Sequence, residues 1–285
     1  MAEKISVIVP AYNAEADLPA MIGALGRQTE QPAEYILIDD CSTDFTKSVA
    51  EGFFKVYSTP KNSGPAAARN LGMHFANGDY YVFLDSDCLP ENDWIEKIYS
   101  CLQTNDEEVI TGSYYVRAST FLGRAIAALG FPCGGEIGFD KMWQVSPDGY
   151  VEKISTGNFI LKKTVIQEYG GFDEEFSYCF EDAWFTHKLV SAGIKIKYCP
   201  DIAVEHAARE DLKSFIKWHY SRGKGLKPFK DRVGSLGKYK KLRIWSTKNI
   251  IKEYHRDPKL PLILLLLLFS IFLQYLALIA EKLKG

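Results

Sequence analysis

Six cysteines in 285 residues (Cys41, Cys88, Cys101, Cys133, Cys179 and Cys199) include no Cys-x-x-Cys pair. That spacing argues against a zinc ribbon or a disulfide scaffold and reads as free thiols in a reducing compartment. The first apolar stretch, in MAEKISVIVPAYN, is too short for a signal peptide and runs straight into a strand pattern. No glycine follows that strand until Gly23, so the GxGxxG phosphate loop is missing, and no GxxxxGK-Ser/Thr loop occurs anywhere. If a nucleotide binds, its phosphates need a counter-charge other than a glycine-rich loop.

What is present is unevenly charged. Residues 1–212 carry 17 Lys and Arg against 32 Asp and Glu, while residues 213–259 carry 15 against three. An acidic body with a basic tail has two different neighbours. The tail's neighbour follows it: 260–280, LPLILLLLLFSIFLQYLALIA, holds no charge. As a helix it would be about 31 Å long, enough to cross a hydrocarbon core. Pro261 falls in its first turn, where a missing N–H costs nothing. The sequence therefore divides into a body over 1–212, a basic amphipathic membrane-surface segment over 213–259 and one transmembrane helix over 260–280. The basic run before the span places the body in the cytoplasm. It favours an anionic lipid surface over nucleic acid.

Within the body, β-branched runs end in polar residues. The stretch 5–9 leads to Pro10-Ala11-Tyr12-Asn13, 35–38 to Asp39-Asp40, and 80–84 to Asp85-Ser86-Asp87. Helical patterns lie between them, one beginning at Ser63-Gly64-Pro65. Strands alternating with helices predict βαβ units and a mostly parallel sheet, whose ligands bind beyond the carboxyl ends of the strands. Carboxylates there are costly to desolvate without a metal ion, a basic side chain or water beside them. Periodicity fails between Thr111 and Ser155, where a lid, a substrate loop and an interfacial helix all remain open. Further on, a strand is expected at STGNFIL and a helix over 182–192 that buries Trp184, Leu189 and Val190 and is capped by Gly193.

The ordered set VIVPAYN, IDDCSTD, NSGPAAARN, FLDSD, STGNFIL, GGFDEEF, FED and VEH spans residues 4–206 and resembles the family 2 glycosyltransferases of the GT-A fold. The resemblance implies an α/β fold, a Rossmann-like sheet flanked by helices, and sugar transfer with inversion from a nucleotide-sugar donor. It implies a nucleotide pocket at Pro10, Ala11, Tyr12, Asp40 and Asp39, with Arg69 at the diphosphate or base and Asp85-Ser86 at the ribose. Asp87, with Asp85 and His206, would hold Mn²⁺ or Mg²⁺. Glu181-Asp182 would supply the catalytic base, with Asp182 favoured, and Asn158 and Trp184 would face the acceptor.

The chemistry is compatible. A divalent cation neutralises a leaving diphosphate, and a carboxylate can take the proton of an attacking hydroxyl. Plainer roles exist for the same residues: helix-terminal acids for Glu181-Asp182, turn or cap residues for Asp39-Asp40. The QxxRW motif of processive polysaccharide synthases is absent from FIKWHYSRGKGLKPF, and one span is too few for a channel. The expectation is thus a membrane-anchored enzyme of cell-envelope polysaccharide synthesis that adds one sugar to a lipid or lipid-linked saccharide. A polyprenyl-phosphate acceptor and a non-catalytic nucleotide-sugar binder remain alternatives, and an oligomer is left open.

Overall fold

The computed structural model describes residues 3–130, 135–154, 156–176 and 179–283. Phe131 to Gly134, Ser155 of STGNFIL and Tyr178 of FSYCFED lie outside the described residues. The chain divides into two compact units: 1–113 with 146–177 and 181–205, and 114–145 with 178–180 and 206–285. The sequence reading placed its first boundary at 212, whereas the structure groups 114–145 with the C-terminal helices.

In chain order the elements begin β1 (Ile5–Ala11), α1 (Leu18–Gly26), β2 (Glu34–Asp39), α2 (Thr46–Ala50), β3 (Lys55–Ser58), α3 (Pro65–Phe75) and β4 (Tyr80–Phe83). There follow β5 (Cys88–Pro90), α4 (Trp94–Thr104), β6 (Val109–Arg117), α5 (Phe121–Ala127), a 3₁₀ turn (Gly135–Ile137) and α6 (Phe139–Met142). Then come β7 (Tyr150–Val151), β8 (Phe159–Lys162), α7 (Lys163–Tyr169), α8 (Glu181–Ser191) and β9 (Ile196–Ala207). The chain finishes with α9 (Leu212–Val233), α10 (Gly237–Tyr254) and α11 (Leu260–Lys282).

The first unit is built on the sheet, in the order β3-β2-β1-β4-β8-β6-β9-β5. β3, β2, β1 and β4 are parallel neighbours, as the alternating pattern predicts. Helix α1 buries Leu18, Met21, Ala24 and Leu25 at helical spacing, and α3 presents its alanines. The other half departs from a parallel sheet: β8 runs antiparallel to both β4 and β6. A polar residue locks that half. Asn158 is fully buried, donating to the carbonyls of Ser113 and Ile202 and accepting from the Trp94 indole. A Cβ at Gly112 would stand 2.2 Å from the Asn158 amide, so only glycine admits this contact.

At the amino ends of the strands an acid acts as a fastener. Glu34 accepts from Ser6 Oγ (2.7 Å), the Asn77 backbone N–H (2.7 Å) and Lys55 Nζ (2.8 Å). Burial alone would raise the Glu34 carboxyl, but the bonds from Lys55, Asn77 and Ser6 outweigh it and bring it from 4.5 to about 2. A carboxyl depressed by folding stabilises the native state above its unfolded value, and that stability is lost as pH falls toward about 2. Glu34→Gln should therefore lower stability at neutral pH by about 3 kcal/mol and flatten the acid limb between about pH 4.5 and 2. Acid titration of the thermal midpoint reads this, and an unchanged acid limb in the variant would remove Glu34 from the role.

The second unit is helical. The segment without clear periodicity becomes α5, the 3₁₀ turn and α6. Glu210 fastens the start of α5, accepting from the backbone and hydroxyl groups of Ser119 and Thr120. The basic segment folds as two helices, α9 and α10. Helix α9 turns Phe215, His219, Gly223, Gly225 and Phe229 inward and leaves Lys213, Lys217 and Lys230 exposed. It meets α11 at Gly223, where a Cβ would stand 2.4 Å from the Gln274 carbonyl and 2.5 Å from Ala277 Cβ. Helix α11 buries Ile263, Leu266, Leu267, Ser270, Leu273 and Ala277. Its other face exposes Leu265, Leu268, Ile271, Phe272, Tyr275, Leu276 and Ile279.

Candidate functional site

In the first unit, polar residues gather at the carboxyl ends of β1, β2 and β4. Beyond β1, Tyr12 is half exposed and Asn13 takes a positive φ of 50°. Pro10 and Ala11 pair in register with Ile38 and Asp39, the last residues of β2. Asp39 Oδ1 accepts from the Ser42 N–H at 3.2 Å. Asp40 has different partners. It is buried, its Oδ1 accepting from Thr59 Oγ1 (2.6 Å) and the Ser63 N–H (2.9 Å), and its Oδ2 from the Gly64 N–H (2.7 Å). The sequence placed Asp40 at the nucleotide base or at a helix cap. In the structure its carboxylate holds the loop that leads into α3, and Asp44 binds the first N–H of α2.

The centre of the site is an arginine. Arg69 lies on the inward face of α3 and is 3 % exposed. Its Nη2 donates to Asp85 Oδ1 and its Nη1 to Glu181 Oε1, both at 2.8 Å. One guanidinium thus ties the acid after β4 to the acid that opens α8. Its fork suits two carboxylates at once. Among the described residues its buried Nε has no hydrogen-bond partner. Burial pushes the Glu181 carboxyl up, Arg69 opposes that, and the charge of Asp182 adds to it; the net direction is upward. The charges of Asp85 and Glu181 outweigh burial at Arg69 and raise it further.

Asp182 differs from its neighbour. Its side chain is 25 % exposed and receives Lys153 Nζ at 3.3 Å. Its Oδ1 accepts from the Ala183 N–H at 2.7 Å, at the amino end of α8. A helix amino terminus stabilises a carboxylate there. Lys153 was absent from the sequence reading, because a lysine in a segment without periodicity carries no local sign of its partner. Helix α8 buries Leu189 as expected, but Ala183, Phe185 and Thr186 rather than Trp184 and Val190, which are half-buried. Trp184 is half-buried against the His187 ring, at a centroid distance of 5.6 Å.

Asp87 and Ser86 lie half-buried in the turn after β4, and the Cys88 thiol points to Asp87 Oδ1 at 3.9 Å. His206 lies near the end of β9 and is buried, its Nδ1 2.8 Å from the Ala207 carbonyl oxygen. Asn158 is enclosed in the sheet with both amide ends engaged, which leaves it no surface for an acceptor.

Comparison with known proteins adds an independent line. Residues 6–168 match the family described as "Glycosyl transferase family 2". An uncharacterized glycosyltransferase of Haemophilus influenzae is 42% identical over 116 residues, covering 39% of this chain and 46% of that protein. The match therefore spans less than half of that relative's length. The O-antigen chain rhamnosyltransferase WbaN of Salmonella anatum is 28% identical over 224 residues, covering 76% of this chain and 70% of that protein. Among solved structures, GalNAc-T7 with UDP, GalNAc and Mn²⁺ superposes with a TM-score of 0.58 at 16% identity, covering 90% of this chain and 57% of that one. At that identity the likeness shows the fold, a mixed sheet flanked by helices of the GT-A kind.

Proposed function

The chain belongs to glycosyl transferase family 2, and from that premise we propose that it moves one sugar from a uridine-diphosphate sugar to a hydroxyl of a lipid-linked saccharide, inverting the anomeric carbon. The observation that carries this reading is the joining of Asp85 and Glu181 through Arg69 at the strand ends, with Asp182 next to them. Tyr12 and Asp39 take the base, since Asp40 is committed to the loop before α3. Asp85 and Ser86 lie toward the ribose. Arg69 acts as a positioning residue that sets both acids. Asp182 takes the proton from the acceptor hydroxyl as it attacks in line and the diphosphate leaves. The test is a panel of nucleotide sugars offered to the full chain in detergent with Mn²⁺, reading nucleoside diphosphate release. Turnover of a uridine-diphosphate sugar is expected, and no release from any donor overturns the reading.

Oxygen donors in the turn after β4 fit a hard divalent cation. Asp87 would hold it with Asp85; His206 is kept as a ligand on the sequence reading alone. Bound there, the cation neutralises charge on the leaving diphosphate. Asp87→Ala should abolish the Mn²⁺-dependent part of UDP binding by calorimetry, and a chelator should do the same to the unaltered chain. Full UDP affinity in chelator would count against a metal at Asp87.

The lipid-linked acceptor in this reading is supported by α11. It is the one helix among the described residues long and apolar enough to cross a membrane, and only 33% of its most apolar window is buried. The core helix of a soluble domain would be mostly covered. The basic residues before it support a cytoplasmic side for the first unit in this reading. Removal of residues 257–285 should release the protein from membranes in carbonate while UDP binding persists. Release of the intact chain by carbonate without detergent would sink the span.

A further inference from the structure

Helix α11 has a neighbour along its middle. The Phe215 ring of α9 stacks on the Phe269 ring of α11 with centroids 6.2 Å apart. One turn on, His219 Nδ1 meets the Gln274 amide at 3.0 Å. A turn further, a Cβ at Gly223 would stand 2.5 Å from Ala277 Cβ, so glycine lets the two helices come this close. The paired numbers rise together, 215 with 269, 219 with 274 and 223 with 277, an offset of 54 or 55 residues. The two helices therefore run side by side in the same direction.

That register decides what stands level with the centre of α11. Ile271 is the central residue of Leu260–Lys282, and the offset sets Lys217 level with it and Lys213 about one turn before. Both lysines are exposed. If α11 crossed a bilayer, its central residue would lie about 15 Å from either interface, half of a hydrocarbon core of roughly 30 Å. A lysine stem is too short to carry its ammonium that far. Cations are among the groups least tolerated at that depth. A second basic helix meets the same level, since Arg243 of α10 donates to Ser270 Oγ at 3.1 Å. The opposite face of α11 is uniform. Leu265, Leu268, Phe272, Tyr275 and Ile279 recur every three or four residues and are exposed.

We propose that α11 lies in the plane of the membrane instead of crossing it, with its open face among the acyl chains of one leaflet. Helix α9 lies alongside it and keeps Lys213 and Lys217 at the phosphate headgroups. The proposal rests on the membrane attachment proposed above and changes how α11 meets the bilayer. Length does not separate the two geometries, because interfacial helices are often as long as spanning ones. An interfacial helix needs a polar side, which α11 lacks by itself and α9 supplies. Charge agrees: residues 213–259 carry 15 Lys and Arg against three acids, a match for anionic headgroups. A flat α11 leaves its carboxyl end on the same aqueous side as the first unit, whereas a crossing α11 delivers it to the other side.

The experiment uses the full chain in sealed membrane vesicles from the expressing cell, with a membrane-impermeant sulfonated maleimide as probe. Cys41, exposed in the first unit, reports that unit's side. Leu283→Cys, at an 82 % exposed position, reports the end of α11, and Lys217→Cys reports the level of its centre. Both introduced thiols should label in the same proportion as Cys41, before and after detergent opens the vesicles. Leu283→Cys labelled only after detergent, when Cys41 labels before it, overturns the proposal and restores the span. So does a Lys217→Cys that stays protected until detergent is added. Carbonate extraction of a separate portion reads attachment itself. Release of the intact chain as a detergent-free dimer removes the membrane reading along with this one and assigns the open face to a second copy. UDP binding on the same vesicles is an independent readout: its absence beside co-labelled thiols would end the donor reading and leave the flat helix standing.

Discussion

Arg69→Met should cost the first unit much of its stability. It preserves length and apolar stem but removes the cation shared by Asp85 and Glu181. Breaking a buried pair by deleting one partner is worth about 3–5 kcal/mol, here chiefly because Glu181 stays buried without compensation while Asp85 is 30 % exposed. In a chain of this size that is a drop on the order of 10 °C in thermal midpoint. The deficit should depend on pH. Burial already pushes Glu181 above the usual carboxylate value of 4.5. Without Arg69 it rises further, and a carboxyl raised by folding favours the native state at low pH and loses that contribution as pH rises. The gap between variant and parent should therefore be widest at neutral pH and narrow as the pH falls toward 4.5. Arg69→Lys should recover part of the loss, since one ammonium cannot reach both carboxylates with a planar fork. A variant within 1 kcal/mol of the parent at neutral pH, on the scale of an exposed pair, would show that the bridge adds little.

The depth of Arg69 explains why its position was not legible in the sequence. The sequence reading puts Arg69 at the diphosphate or base, and its carboxylate partners lie 16 and 112 residues away, with no local mark of either. The helix itself was legible, because Gly64-Pro65 marks its start and Pro fits the first turn. The same division holds across the first unit. Strands β1, β2 and β4 and their polar ends follow from local alternation, and those ends hold the acids. What the pattern could not give is pairing between distant segments. Asp40 looks like a cap or a base contact until Thr59, Ser63 and Gly64 are seen to fill its oxygens. Asn158, expected to face the acceptor, instead reaches two carbonyls across the space that Gly112 leaves. The alliance of 114–145 with the C-terminal helices is of the same kind, since neither stretch carries a local mark of the other.

Asp182→Asn should leave the fold intact and remove turnover. The amide keeps the size of the carboxylate and can still accept the Ala183 N–H through its oxygen, so the start of α8 has no reason to change. Asp182 is 25 % exposed and pairs with Lys153 at 3.3 Å, a geometry whose loss costs little. What the amide cannot do is take a proton. General base catalysis is worth roughly 10²–10⁴ in rate, so kcat should fall by that factor. Donor affinity should hold, because the missing interaction belongs to the transition state. Glu181→Gln separates the two acids by a different signature: it loses its charge-assisted bond to Arg69, so activity and thermal midpoint should fall together. Stopped turnover at an unchanged midpoint assigns proton transfer to Asp182. Near-normal kcat in Asp182→Asn with a dead Glu181→Gln would give the proton to Glu181 and make Asp182 its neighbour. Full rate in both would mean that the attacking oxygen is already an anion, as in a phosphate acceptor, and that the site needs no base at all.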